Sequence, residues 1–254
     1  MSFVSINPYS EEKINEIAFM SEDEMNLVLQ RADAAFNTWR QSSFQEREHL
    51  LFGLADSLEK NKESMALLAT REMGKPITQA IAEIEKCAWL CKFYAENGQA
   101  FLEDKSYQSS AKKSFIRYEP LGIIYGIMPW NFPYWQFFRF AIPAIMAGNV
   151  CILKHAPNVG LCALEIEKVF KENQAGSIFQ NVFIDYELSD KLIADKRIKA
   201  LSLTGSERAG AAVASKAGEH IKKCVLEQVG PDLLIPFQDY RLYIYHSCLF
   251  RKTL

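Results

Sequence analysis

The sequence lacks an excess of charge of either sign and lacks any long apolar run. Its 29 Lys and Arg against 31 Asp and Glu leave a formal net charge of −2. That gives no basic footprint for a nucleic acid partner. No stretch reaches the roughly 18–20 apolar residues of a membrane span. The longest candidate, residues 137–147, is interrupted by Arg139 and Pro143. The opening MSFVSINPYSEEK has no basic n-region and no apolar h-region, so no secretory signal is expected. Repeats and low-complexity tracts are absent as well. The six cysteines, Cys87, Cys91, Cys151, Cys162, Cys224 and Cys248, are irregularly scattered. They form no disulfide framework, and a reducing cytoplasmic setting is the expectation.

What is present is core. Hydrophobic residues make up 49% of 254, enough for one large domain or two small ones. The first hundred residues carry helical periodicity. Ser21 and Glu24 form a capping-box pattern ahead of Met25, Val28, Leu29, Ala32 and Phe36. Further helices are expected at about 44–60, 63–73 and 76–97, with Gly74 as a stop and Pro76 as a start. Cys87 and Cys91 fall at i and i+4 on the last of these, either a packed reduced pair or a metal or redox pair. A polar segment, about 98–119, follows. After Pro120 strands and helices alternate: strands at 122–128, 149–154, 179–185, 198–204 and 222–228, and helices at 134–147, 159–173, 187–195 and 206–217. Repeated βα units predict an α/β fold, a Rossmann-like parallel sheet with flanking helices behind a helical N-terminal region. Ligands in such sheets sit at the carboxyl ends of the strands.

Three stretches carry candidate chemistry. In LSLTGSERAG a strand meets Gly205 and Ser206 and a helix begins, with Gly210 one turn in. The pattern fits a phosphate cradle at a helix N-terminus, and equally a tight βα turn. In GIMPWNFPYWQFFRF a strand runs into Pro129-Trp130-Asn131-Phe132-Pro133. Two prolines stiffen the loop around Asn131, whose amide is suited to an oxyanion or to capping the next helix. In KKCVLEQVG an apolar stretch read as a buried strand ends in Glu227. A buried carboxylate is usually paired, protonated or functional.

These motifs resemble, in order and spacing, the NAD(P)-dependent aldehyde dehydrogenase superfamily. Met128 to Pro133, Leu153-Lys154, Leu203 to Ser206 with Gly210, and Leu226-Glu227 with Gly230 carry the resemblance. TREMGKPITQA, MPWNFPYWQ, LKHAPNV and TGSERAGAA are similar to the bacterial succinate-semialdehyde dehydrogenase branch. The likeness covers about residues 3–242, the first half of a typical member. It implies Asn131 as the oxyanion-stabilising amide and Glu227 as the general base. It implies Met128 and Trp130 beside the nicotinamide and ribose, Lys154 at the adenosine ribose, and Gly205 and Ser206 under the pyrophosphate. Arg139 falls where this branch binds the substrate carboxylate; a guanidinium also suits a structural ion pair or a surface position. Pro157 stands where NAD-preferring members often carry a Glu. NADP is therefore expected to be tolerated beside NAD, with Lys154, and His155 if it is not simply a surface residue, near the 2′-phosphate.

The resemblance also sets limits. The family's nucleophilic cysteine follows the general base in a loop that would fall past residue 254. Cys248 with His246 has no matching context, and Cys224 reads as strand packing. Val229 replaces a family glycine. Residues 1–242 are expected to form the NAD(P)-binding domain, with 98–119 as a protruding oligomerisation segment. Residues 243–254 are expected to form a divergent tail, without the catalytic-cysteine domain. The implied reaction is oxidation of a small-molecule aldehyde, succinate semialdehyde, with this chain inactive alone. A non-catalytic nucleotide-binding remnant or subunit-interaction module is the alternative. A homo-oligomer or an aggregation-prone fragment is expected from the uncovered apolar surface, with strand pairing through 114–119.

Overall fold

The computed structural model describes residues 2–228. Its centre is a five-stranded parallel sheet in the order β7-β6-β5-β8-β9. The strands are β5 (Ile123–Met128), β6 (Val150–His155), β7 (Phe179–Asn181), β8 (Ile198–Gly205) and β9 (Lys223–Gln228). The chain winds outward from β5 to β7 and returns to place β8 on β5's other side. The order therefore reverses between β5 and β8, the crevice where such sheets take ligands. β5 and the first four residues of β6 are apolar, and both strands are buried along nearly their whole length, as a covered parallel sheet requires.

Helices α4 (Trp135–Met146) and α5 (Gly160–Glu172) cover one face. Helices α6 (Tyr186–Ala194) and α7 (Glu207–Glu219) cover the other, as right-handed crossovers dictate. Gly126 lets α4 lie close, since a Cβ there would run into the Phe140 ring. Helix α1 (Glu22–Trp39) joins α6: Arg197 reaches Asn26 and Lys191 reaches Glu22. Its capping box forms as the sequence predicts, Ser21 and Glu24 bonding reciprocally. Outside α4 and α5 lies an antiparallel pair, α2 (Phe44–Met73) and α3 (Ile77–Phe101). One apolar cluster runs through all these layers.

Three differences from expectation have physical causes. The two helices expected at 44–60 and 63–73 are one. Lys60-Asn61-Lys62 reads as a break, yet Asn61 returns its side-chain N–H to the Ser57 carbonyl and the helix continues. Gly74, left-handed at φ 74°, ends it. An antiparallel N-terminal hairpin, β1 (Ser2–Ile6) and β2 (Lys13–Ala18), was not legible in the sequence. The segment 98–119 continues α3 and then forms a short hairpin, β3 (Lys105–Ser106) with β4 (Phe115–Ile116), with Tyr107, Phe115, Ile116 and Tyr118 exposed. Among the described residues, no helix is long and apolar enough to cross a membrane.

Candidate functional site at the carboxyl edge of the sheet

Four helices begin at the carboxyl edge, and their N-termini differ. A helix start leaves amides without intrahelical partners and favours negative charge. At α4 the Glu83 carboxylate accepts from the Tyr134 and Trp135 amides. At α5 the Glu72 carboxylate accepts from Leu161 and Cys162. At α6 Asp185 accepts from Leu188. Only α7 is capped by a neutral side chain, Ser206, which accepts from Ala209. Its Glu207 and Arg208 amides have no acceptor among the described residues. Glu207 lies in the first turn and is exposed. A Cβ on Gly205 would make only ordinary contacts, with Leu203 at 3.6 Å and Ala209 at 3.9 Å. The protein leaves room above this turn. Gly210 is a packing glycine: a Cβ there would strike the Gln228 side chain on β9.

Lys154 ends β6 largely buried, its Nζ 5.5 Å from the Phe3 ring centroid and 5.3 Å from that of Tyr186. Burial lowers its pKa and the nearby Asp185 acts against that. Among the described residues no carboxylate pairs with it. Pro157 opens a 3₁₀ turn, Pro157–Val159, and offers no side-chain acceptor. His155 corrects the expectation of a surface or phosphate-binding residue. It is buried, accepts from the Ala156 amide at Nδ1, and bonds the Pro133 carbonyl through Nε2 at 2.8 Å. That pattern makes Nε2 the protonated nitrogen. Burial brings its pKa down to about 4, so the ring is neutral at pH 7 and holds no phosphate. It fastens β6 to the loop that carries Asn131.

In that loop Trp130 is half exposed, Phe132 is exposed and Met128 behind them is buried. Asn131 does not cap α4; Glu83 does. The Asn131 Oδ1 is buried without a partner, and its side-chain N–H has no acceptor among the described residues. A buried unmade hydrogen bond costs about 1–3 kcal/mol; the orphan is the acceptor oxygen, and the N–H group is left free to donate. Sequence reasoning missed Lys75 and Glu83, which hold this loop. Their one signal is a lysine set between two helix breakers, Gly74 and Pro76, with an acid on the next helix.

Glu227 corrects a second expectation. Among the described residues β9 is the edge strand, and Glu227 stands half exposed on it rather than ending a buried strand. Its carboxylate pairs with Arg139, which also donates to Gln136 Oε1 at 2.8 Å. The pair closes one end of a cavity of about 410 Å³ between α4 and the β8–β9 face, floored by Ile124, Ala200 and Val225. Burial raises the pKa of all five described cysteines, Cys87, Cys91, Cys151, Cys162 and Cys224, so none is an activated thiol. Cys224 and Glu227 project to opposite faces of β9, as the odd spacing requires. Among the described residues no group of three His, Cys, Asp or Glu could hold a metal ion. Val229, Gly230, His246, Cys248 and the tail 243–254 lie outside the described residues.

The comparisons with known proteins agree on one family. The profile of the aldehyde dehydrogenase family matches residues 1–249. A probable succinate-semialdehyde dehydrogenase (NADP(+)) of Synechocystis is 46% identical over 242 residues, 94% of this chain and 53% of that protein. A succinate semialdehyde dehydrogenase (NAD(P)+) of Escherichia coli is 44% identical over 240 residues, 93% of this chain and 51% of its own length. The crystal structure of succinic semialdehyde dehydrogenase from Streptococcus pyogenes, in complex with NADP+, superposes with a TM-score of 0.87. It is 34% identical and covers 91% of this chain and 51% of that one. The chain thus spans about half the length of the curated relatives it matches. With its parallel sheet, its motifs and these relatives taken together, the chain belongs to the aldehyde dehydrogenase family.

Proposed function

We propose that this chain supplies the NAD(P)-binding half, and part of the reaction site, of a succinate-semialdehyde dehydrogenase. The observation that carries this is the contrast among the four helix N-termini. Three hold carboxylates, and α7 keeps its first-turn amides open beneath Gly205. An anionic pyrophosphate is disfavoured at the first three and favoured at α7. Lys154, a buried cation without a carboxylate partner among the described residues, suits ribose hydroxyls or a 2′-phosphate. Trp130 and Met128 would wall the nicotinamide end. When bound, the dinucleotide supplies a hydride acceptor.

The chain's own residues divide the remaining work. Asn131 donates its side-chain N–H to a carbonyl oxygen as negative charge develops there. Glu227 takes a proton from water. Arg139 receives the far carboxylate of the semialdehyde, for which a guanidinium fork is well shaped. Glu227 and Arg139 must part before either can act, and an arriving carboxylate competes for Arg139. No described cysteine is placed or activated to attack the aldehyde. Turnover by the 254-residue chain alone is therefore not expected, and a nucleotide-binding module is the form in which this polypeptide would act by itself. The exposed hairpin β3–β4 is the proposed contact with further copies.

Calorimetric titration with each dinucleotide tests the proposal. NADP+ should bind at least as tightly as NAD+, because Pro157 provides no carboxylate to hold two ribose hydroxyls or to repel a phosphate. A preference for NAD+ of about tenfold, or about 1.4 kcal/mol, would sink that argument. Failure to bind either would sink the nucleotide site itself.

A further inference from the structure

The buried Lys75–Glu83 ion pair has no place in the chemistry described so far. Both side chains are almost wholly buried, and they bond each other directly across the turn between α2 and α3. A buried pair is weak evidence for stability, because desolvation cancels much of the attraction. What sets this one apart is what else its atoms hold. One Glu83 oxygen takes Lys75; the other accepts from the Tyr134 amide at 2.9 Å and the Trp135 amide at 2.8 Å. Lys75 Nζ donates onward to the Asn131 carbonyl at 3.3 Å and lies 3.6 Å from the centroid of the Phe132 ring. Every residue from 131 to 135 is thus held by the pair or flanked by a residue that is. His155 takes the Pro133 carbonyl from the opposite side.

We infer that Lys75 and Glu83 are positioning residues for Asn131: a buried charged clamp that fixes the loop backbone and so aims an amide whose own side chain has no partner. The assignment of Asn131 to the oxyanion rests on the proposed function; the clamp itself rests on the contacts alone. An unpartnered amide on a free loop would turn to water or to the nearest backbone group. Charge-assisted bonds at the Asn131 carbonyl and at the amides three and four residues on remove that freedom. Lys75 and Glu83 touch no reacting atom in this arrangement and act only through the loop.

Removing one member leaves a buried charge and endangers folding, so the informative variant is the neutral double, Lys75→Met with Glu83→Gln. The full chain carries four tryptophans, Trp39, Trp89, Trp130 and Trp135. Labelled with 5-fluorotryptophan, they report on the loop and on the rest of the fold separately. Nitrogen-15 asparagine labelling, assigned with Asn131→Ala, reports the amide itself. In the double variant the Trp130, Trp135 and Asn131 signals should shift or broaden while Trp39 and Trp89 stay in place. The Tyr134 and Trp135 amides should exchange with solvent about tenfold faster or more. Lys75→Arg, which keeps the charge and a donor, should hold the loop signals near their original positions. Loop signals unchanged in the double variant would overturn the proposal. So would all four tryptophan signals moving together, which marks a pair that only supports the fold. NADP+ titration of the unaltered chain reads the nucleotide site independently. Its failure would overturn the functional assignment of Asn131 and would be seen apart from the loop signals.

Discussion

β6 and β9 each place a charged residue, Lys154 and Glu227, one position from their ends at the same edge of one sheet, yet they sit in opposite surroundings. β6 is flanked by β5 and β7, buried along its whole length, and delivers Lys154 and His155 into a packed environment. Among the described residues β9 has one neighbour, β8, and it alternates between half-buried and exposed residues, with Val225 61% exposed. The difference separates two halves of a task. The face that would hold a dinucleotide is assembled from side chains locked by packing. The face that would do chemistry presents Arg139 and Glu227 to each other across an open groove. Preorganisation is therefore high where binding is proposed and low where proton transfer is proposed.

The sharpest way to break that contrast is an activity assay. The purified 254-residue chain should give no succinate-semialdehyde-dependent NAD(P)H formation above background. Loss of a covalent nucleophile costs on the order of 10⁶ in turnover. Robust turnover abolished by Cys248→Ser would place an active thiol outside the described residues.

The next effect is on stability and belongs to β6. His155 has a folded pKa of about 4 against 6.5 ordinarily. Below pH 6.5 the unfolded chain takes up a proton that the folded chain refuses. This contribution to stability is therefore full above about pH 6.5, falls as the pH drops toward 4, and levels off below. The window is worth about 3 kcal/mol. Chemical denaturation across pH should show His155→Gln losing that component of the pH dependence. Parallel curves for the two proteins would mean that the imidazole charges in place.

Smaller again is the expected effect of Lys154→Met on NADP+ binding, a weakening worth about 1.5–3 kcal/mol for a charged hydrogen bond. Calorimetry should show the loss for NADP+ to exceed that for NAD+; equal losses would move Lys154 away from the 2′-phosphate. Smallest is Arg139→Gln. The pair with Glu227 is partly exposed on both sides, and such pairs contribute about 0–1 kcal/mol. Its thermal midpoint should fall within about 4 °C of the original. A much larger drop would show the groove to be a packed site rather than an open one.

The sheet and its helices were legible in the sequence because their signals are local. Largely apolar runs made β5 and the start of β6, β8 alternated, and Ser21 with Glu24 announced α1. Gly205 and Ser206 marked the strand-to-helix turn before α7. What was illegible depends on partners far along the chain. His155 is polar and ends a strand, so nothing nearby says that the Pro133 carbonyl will bury it. The exposure of Glu227 follows from strand order, which puts β9 at the edge of the sheet among the described residues although Cys224-Val225-Leu226 reads as a buried run. The β1–β2 hairpin is too short and too polar on one side to stand out, and α2 runs through a polar stretch that looks like a boundary. The candidate residues Asn131, Lys154 and Arg139 came from motif likeness; Lys75 and Glu83 emerged only from coordinates.

The N-terminal hairpin has a consequence for how the chain comes to be folded. Phe3 stacks edge-on with Phe183 and lies beside Lys154, Ser5 bonds Glu72, and Met20 donates its amide to the Phe183 carbonyl. Beyond its pairing with β2, the strand β1 thus finds these partners only once the segment to β7 and the turn beyond it has been made. Until then the β1–β2 hairpin has no core to pack on, and Lys154 lacks the Phe3 side of its aromatic surroundings. Contacts of such sequence separation slow folding. The surroundings of Lys154 are completed only when the N-terminal hairpin docks.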